Sequence, residues 1–328
     1  MTEGINGNSG SLPPGAGHTT PDSAHFRSID EMQSACEADG WSIEIRQLQA
    51  GEMTADTISR ECVGILLLDQ TVSRRVEVVG QAPEGYITAL APVGRGEFSI
   101  NGHLFDGQGF FLLPSFAELH SLNNDVLRVM SMLVPTSLLQ ETGRGILDAW
   151  NGQLPVTGMV IEPGAAGVYR LRSMIHATID QPATGRWQVE QGHCLATGLA
   201  AIIDQHAGTA KTNGRTSPAE SWRAVNRARA FIETHLTEPI SISKLCVHSA
   251  MSLSKLERSF RRELQMSPSQ YILARRLAAV NRELKGTSSS GKKIAHIAMD
   301  FGFTHLGRFA GIYRKQFGEL PSETLLTN

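Results

Sequence analysis

The chain has no run of 18 or more apolar residues, so no membrane-spanning helix is expected. It also lacks a basic start followed by an apolar stretch. The opening MTEGINGNSGSLPPGAGHTTPDS is rich in Gly, Ser and Pro, and it reads as a disordered tail over residues 1–25 rather than a secretory signal. Cysteine is scarce. Cys36, Cys62, Cys194 and Cys246 lie far apart with no CxxC pair and no Cys/His cluster, which argues against a disulfide frame or a zinc site. Reduced thiols of a cytoplasmic protein are the expected state. No Ser-His-Asp set, paired carboxylates or phosphate-binding loop stands out, so no enzyme activity and no cofactor are expected. The one glycine-flanked candidate, GRGEF at residues 94–98, lacks the strand-loop-helix context of a nucleotide site.

What is present is enough chain for more than one core. At 328 residues it exceeds a typical domain of about 100–150 residues, so two domains are expected. The apolar content of 41% and charged content of 19% are ordinary for a soluble globular protein. The net charge of −2 hides an asymmetry. Residues 221–328 hold 17 Lys and Arg against 8 Asp and Glu, whereas residues 1–220 hold 13 against 24. A basic C-terminal third joined to an acidic remainder points to a polyanionic partner for that third.

Residues 27–39 read as a short helix. From Trp41 to Pro135 short β-like runs follow, among them WSIEIRQL, CVGILLLD, TVSRRVEVV and VLRVMSMLV, punctuated by Gly, Pro, Asn and Asp. After Pro163 the apolar spacing becomes helical, and two segments suit an antiparallel helix pair. Leu195, Leu199 and Ile202 on the second of them read either as core or as a dimer interface. Residues 208–220 have linker composition, and from Ser221 onward the chain reads as helical.

The helical third contains a repeat. Leu256, Phe260 and Leu264 match Phe309, Tyr313 and Phe317 at an offset of 53, and Pro268 matches Pro321. The preceding segments match at an offset of 52: Leu245 with Ile297, Cys246 with Ala298, Ala250 with Gly302. One extra residue therefore sits in the second turn. Small residues stand where helices meet and where the chain must reverse, and Ser252 and Thr304 stand where helix N-caps belong. The second helix of each copy keeps a polar, basic face: Lys255, Arg258, Arg261 and Arg262, then Arg308, Arg314 and Lys315. A duplicated helix-turn-helix of this character suits a DNA major groove and its phosphates.

The stretches LSKLERSFRREL, SPSQYI and IAMDFGFTHLGRFAGIYRKQFGELPSETL resemble the DNA-binding domain of the AraC/XylS transcription regulators, closest to the XylS-like branch. The resemblance covers the last ~100 residues and implies seven helices, with two motifs joined by a long helix near Ser267–Leu284. It implies two recognition helices in successive major grooves on one face of double-stranded DNA. By motif position, Ser254, Glu257 and Arg258 would face base edges in the first copy, and Leu306, Gly307 and Gly311 in the second. Arg258 suits guanine and Glu257 suits cytosine. Glycines read little, so His305 and Arg308 are expected to carry more of the second contact, with Arg314 on the backbone.

The region before it more loosely resembles the cupin-like sensor domain of such regulators, on the stretch FDGQGFFLLPSFAELHSL. The expected fold class is α+β: a cupin-like β-barrel with following helices over 26–207, a linker over 208–220, and an all-α domain with two helix-turn-helix motifs over 221–328. The His-x-His cluster of metal cupins is missing, since only His103 stands in its place, so no metal is expected and His120 reads as structural. A barrel can hold a small effector, and for a small organic acid Arg46, Arg74 and Arg75 are the candidate counter-charges. The resemblance further implies a homodimer, contact with RNA polymerase, and an activator of a catabolic operon. The alternative is a cupin-type metalloenzyme with a helical accessory domain.

Overall fold

A computed structural model describes residues 22–94, 98–105, 107–123, 126–142, 158–181, 185–206, 218–286 and 294–326. Twelve strands and four helices precede residue 207 among them. The strands are β1 Asp22–Phe26, β2 Ser42–Gln47, β3 Ala55–Cys62, β4 Ile65–Val72, β5 Val76–Gln81, β6 Tyr86–Val93, β7 Phe98–Ile100, β8 His103–Phe105, β9 Phe110–Leu113, β10 Glu118–Asn123, β11 Leu127–Pro135 and β12 Met159–Ile161. The helices are α1 Ile29–Ala38, α2 Thr136–Glu141, α3 Gly164–Ile179 and α4 Gly185–His206. Helix α1 starts where expected because Ser28 caps it, its side chain accepting from the Glu31 N–H.

The strands form a seven-stranded sheet, β1-β3-β4-β11-β6-β9-β12, and a five-stranded sheet, β2-β5-β10-β7-β8. This corrects the expected barrel. Closure needs an unbroken ladder around the ring, and among the described residues the edge strands β1, β12, β2 and β8 do not pair across from one sheet to the other. The sheets instead face each other, with Phe98, Ile100 and Leu119 of the smaller one packed against Phe111, Leu133 and Val160 of the larger. The tail expectation is also shortened, because residues 22–25 lie in β1, which pairs with β3; residues 1–21 lie outside the described part.

Alternation decides what each strand face meets. The outer face of the larger sheet presents Leu67, Ala89, Met130 and Met132 to Leu171, Ile175, Leu195, Leu199 and Ile202. Leu195, Leu199 and Ile202 are thus core, each about fully buried. Burying one such side chain contributes roughly 1.5–3 kcal/mol. Strand β6 is buried along most of its length because it is covered on both faces.

The remaining seven described helices are α5 Pro218–Thr234, α6 Ile242–Ser249, α7 Leu253–Leu264, α8 Pro268–Gly286, α9 Ile294–Asp300, α10 Leu306–Phe317 and α11 Pro321–Leu326. Helix α5 begins inside the expected 208–220 linker, at a proline, a residue suited to a helix start; residues 208–217 lie outside the described part. One core joins α5 to α8 through Val225, Ile232, Leu256, Phe260, Leu264 and Tyr271. Leu48 and Leu122 from the smaller sheet belong to that same core. A second core joins α8, α9 and α10 through Leu277, Val280, Ile297, Phe309 and Tyr313. Helix α8 is shared by both.

Candidate nucleic-acid interface

The repeat seen in the sequence is expressed as geometry. In the first copy α6 ends at Ala250, whose φ of 55° is left-handed, and α7 starts behind the Ser252 cap, which accepts from the Lys255 N–H at 3.4 Å. In the second, α9 turns at Gly302 with φ of 83°. A Cβ at Gly302 would come within 2.8 Å of a guanidinium nitrogen of Arg276, the end of a side chain that can move aside, so it is the left-handed backbone that calls for glycine. The matching continues past the second helix of each pair, where Gln265 and Gly318 both adopt left-handed caps. Leu256, Phe260 and Leu264 are buried as expected, as are Phe309 and Tyr313, with Phe317 partly buried. One expectation shifts by a residue: the cap of α10 is His305, not Thr304, and it makes no side-chain capping bond.

All the candidate DNA-contacting side chains are solvent-exposed. Ser252, Ser254, Lys255, Glu257, Arg258 and Arg261 line the open face of α7 and its cap. Thr304, His305, Leu306, Gly307, Arg308, Gly311 and Arg314 line that of α10 and its approach. A Cβ at Gly307 or Gly311 would meet nothing within 4 Å, so these glycines leave α10 unobstructed rather than tightly packed. The face therefore presents cations from both helices without covering by the β-rich region.

That region touches the far ends of the same helices. Arg75 Nη1 donates to the Gln265 carbonyl at 3.3 Å, at the end of α7. At the end of α10, the Gly51 N–H donates to the Gln316 carbonyl at 3.1 Å, and Gln316 Nε2 donates to the Gln47 carbonyl at 3.3 Å. One loop region of the first half thus fixes the C-terminal ends of both exposed helices.

Behind them lies a buried ionic cluster that sequence reasoning missed. Glu77 of β5 is fully buried. Its carboxylate meets Arg229 Nη2 of α5 at 2.7 Å, Arg46 Nη1 of β2 at 3.3 Å, the Tyr271 hydroxyl of α8 at 3.1 Å and His120 Nε2 of β10 at 3.0 Å. Burial pushes this carboxyl up, but Arg229, the bond from His120 and Arg46 outweigh it and hold it well below the ordinary carboxylate range. Trp222 Nε1 donates to His120 Nδ1 at 3.2 Å, so Nε2 carries the proton that reaches Glu77. Burial, with Arg229 next, lowers the His120 pKa to about 4 and keeps the ring neutral. Beside this set, Arg275 of α8 bridges Glu233 of α5 at 2.6 Å and Glu44 of β2 at 3.1 Å. Arg282 and Arg46 also meet Glu44, at 2.9 and 2.6 Å. Lys285 of α8 pairs with Asp30 of α1.

The three strands that carry this cluster have a second face. Glu44 and Arg46, Glu77, and His120 point toward α5 and α8, whereas Ile43 and Ile45, Val76 and Val78, and Leu119 and Ser121 line a cavity between the two sheets. The cavity has about 110 Å³ of space open to a water-sized sphere, room for a small ligand rather than a drug-sized one. None of Arg46, Arg74 and Arg75 lines it. Arg46 is held in the ionic cluster, Arg74 bonds the Ser73 carbonyl and packs on Gly51, and Arg75 reaches α7. The effector counter-charge expected of them is not placed at this cavity. His103 and His120 are not brought together at a metal centre, and among the described residues no group of three or more His, Cys, Asp and Glu is arranged to hold a metal ion. No described helix is long and apolar enough to cross a membrane.

A helix-turn-helix domain family model matches residues 245–326. The XylDLEGF operon transcriptional activator of Pseudomonas putida is 41% identical over 99 residues, covering 30% of this chain and 31% of that protein. A second P. putida protein, XylDLEGF operon transcriptional activator 3, is 35% identical over 131 residues, covering 40% of this chain and 38% of that protein. The similarity thus spans about a third of the relatives' length. Among solved structures, a "probable AraC family transcriptional regulator" from Rhodopseudomonas palustris CGA009 is 32% identical and covers 32% of this chain and 96% of that one, at a TM-score of 0.31.

Proposed function

Because the C-terminal third of the chain belongs to the AraC/XylS family of regulators, we propose that the protein is a sequence-specific DNA-binding transcription regulator. The observation that carries this reading is the pair of matched helix–turn–helix units, each ending in a helix whose candidate reading face is open and basic. In this reading α7 and α10 enter successive major grooves of double-stranded DNA. Glu257 and Arg258 supply most of the sequence discrimination. His305, Arg308 and Arg314 mainly hold the backbone, because Gly307 and Gly311 present no side chain to a base.

The remaining roles follow as parts of the same proposal. The protein acts in the cytoplasm as an activator of a catabolic operon, contacts RNA polymerase and works as a homodimer. Leu195, Leu199 and Ile202 are spent on the core, so a dimer would use the outer surface of α3 and α4, where Tyr169 and Val189 are exposed. A small-molecule effector in the inter-sheet cavity is coupled to DNA binding through β2, β5 and β10. These strands line the cavity with one face and hold α5 and α8 by the ionic cluster on the other. A ligand shifts that balance only to the extent that it binds one arrangement more tightly.

Footprinting of the full-length protein on the DNA upstream of its own gene tests the central claim. Protection of two patches one helical turn apart is expected. Arg258→Ala should cost about 1–3 kcal/mol of specific binding. Absence of protection at any site sinks the proposal, and unchanged affinity in Arg258→Ala removes α7 from the reading role.

A further inference from the structure

We infer that the cavity between the two sheets takes an uncharged, mainly apolar molecule bearing a hydrogen-bonding oxygen. This deepens the effector part of the proposed function and rests on it. The lining decides the class. Most of it is aliphatic or aromatic, and no Lys, Arg or His is among the described lining residues. A bound carboxylate would therefore find no counter-charge, and it would share the cavity with the Asp39 carboxyl, which makes no ion pair with a described residue and sits half-buried near the end of α1. An unpaired buried anion is strongly disfavoured. This turns the ligand class away from the organic acids for which Arg46, Arg74 and Arg75 were candidates.

The polar part of the lining is small and specific. Ser131 of β11 and Ser121 of β10 are 4% and 8% exposed and come from opposite sheets. Ser131 stands across from Leu68 and Leu90 in the larger sheet, and Ser121 across from Val78 and Ile100 in the smaller. Both are hydroxyls set among apolar neighbours on core-facing positions, and neither hydroxyl bonds to a described protein group. Gln70 Nε2 donates to the Thr57 hydroxyl at 3.0 Å, which leaves the Gln70 carbonyl as a further acceptor in the lining. Neither hydroxyl oxygen is sealed off from the cavity, so each is available to a ligand placed there. An alcohol, phenol or carbonyl oxygen on an apolar body would satisfy these groups and leave the rest of the lining with hydrocarbon.

Four probes with one ring and different heads separate the possibilities: benzyl alcohol, benzoate, benzylamine and toluene. Each is titrated calorimetrically into the full-length protein at a pH where benzoate and benzylamine are both charged. Benzyl alcohol should bind about two- to tenfold tighter than toluene, the yield of one or two neutral hydrogen bonds. It should bind at least about tenfold tighter than benzoate, which finds no counter-charge in the lining. Ser131→Ala and Ser121→Ala should bring benzyl alcohol down to the level of toluene while leaving toluene unchanged. Ser131→Leu, which fills the cavity, should abolish binding of all four. Benzoate or benzylamine binding as well as the alcohol overturns the inference, as does binding that survives Ser131→Leu or absence of binding by every probe. Footprinting in parallel separates the two levels: failed probe selectivity with intact DNA protection overturns the ligand class alone, and lost protection overturns the regulator.

Discussion

Replacing Glu77 by Gln should loosen the seat of the C-terminal helices without unfolding either core. The carboxylate is fully buried and is the carboxylate that faces Arg229, at 2.7 Å; Arg229's other partners here, Asn226 and Tyr271, are neutral. Arg46 is less exposed to the loss, since Glu44 at 2.6 Å and Glu233 at 3.6 Å remain. The change thus leaves one buried guanidinium uncompensated and deprives either the Tyr271 hydroxyl or a guanidinium of an acceptor. Removing one partner of a buried pair costs about 3–5 kcal/mol, far more than the net worth of the pair. Arg229→Met should cost less, because Glu77 keeps Arg46, His120 and Tyr271. The double substitution removes both charges together, so its cost should fall short of the sum by at least ~1.5 kcal/mol. Urea unfolding gives the free energies, and amide exchange in β5, α5 and α8 shows where protection is lost. If Glu77→Gln costs under ~1 kcal/mol, or the two changes add within ~0.5 kcal/mol, the cluster does not hold the two parts together.

Two further expectations concern the turns and pH. Gly302→Ala forces a Cβ into φ of 83° against Arg276 and should destabilise by about 1–2 kcal/mol, whereas Ala250→Gly relieves a left-handed alanine and should be neutral or stabilising; denaturant midpoints check both signs. The His120 pKa is lowered from 6.5 to about 4, so the unfolded chain binds its proton first. Its contribution is complete above pH 6.5 and is lost as pH falls toward 4, at most about 3 kcal/mol. Glu44, pushed up by burial but held down to about 2 by its arginines, adds a loss as pH falls below 4.5. Burial raises Asp39 to about 6, which adds stability as pH falls from 6 to 4, so the His120 drop should emerge in an Asp39→Asn background. A flat profile above pH 4.5 in the Asp39→Asn background would remove His120 from the buried cluster.

The repeat was legible because its demands are local. Apolar anchors four residues apart, a small residue at the turn and a proline at the next helix each constrain their own neighbourhood. Even the misplaced cap has a local cause: the second copy carries one more residue between Gly302 and Leu306 than the first carries between Ala250 and Leu253, which moves the cap from Thr304 to His305. The strands were legible by their runs, but sheet closure was not. Whether edge strands pair depends on partners distant in sequence, and β1, which lies in what reads as a polar tail, illustrates this. The buried cluster was harder still. Within VEVV, Glu77 alternates as a solvent-facing residue would, and it is buried only because α5 and α8 cover that face. A signal did exist on the helices. Arg229 lies four residues from Val225, and Arg275 four residues from Tyr271, so both cations fall on buried stripes where a solvated charge has no place.

Those two arginines also change what the charge asymmetry means. The basic excess of residues 221–328 points to a polyanion, yet much of it faces the acidic part of the same chain. Arg229 meets Glu77, Arg275 and Arg282 meet Glu44, and Lys285 meets Asp30. Others, Arg227 and Arg276, bond backbone carbonyls at helix ends and turns. What remains open to solvent on the two exposed helices is Lys255, Arg258, Arg261, Arg262, Arg308, Arg314 and Lys315. The two groups obey different physics. Arg229 and Arg275 are buried, so their pairs are barely screened by salt and act by geometry, fixing how the helices sit. Arg282–Glu44 and Lys285–Asp30 are exposed and add little. The exposed cations act by releasing counterions from phosphate, so their contribution falls steeply with salt. Domain charge alone cannot separate seating from reading. The partner of each cation does: those of α5 and α8 meet carboxylates and carbonyls of the same chain, and those of α7 and α10 face solvent.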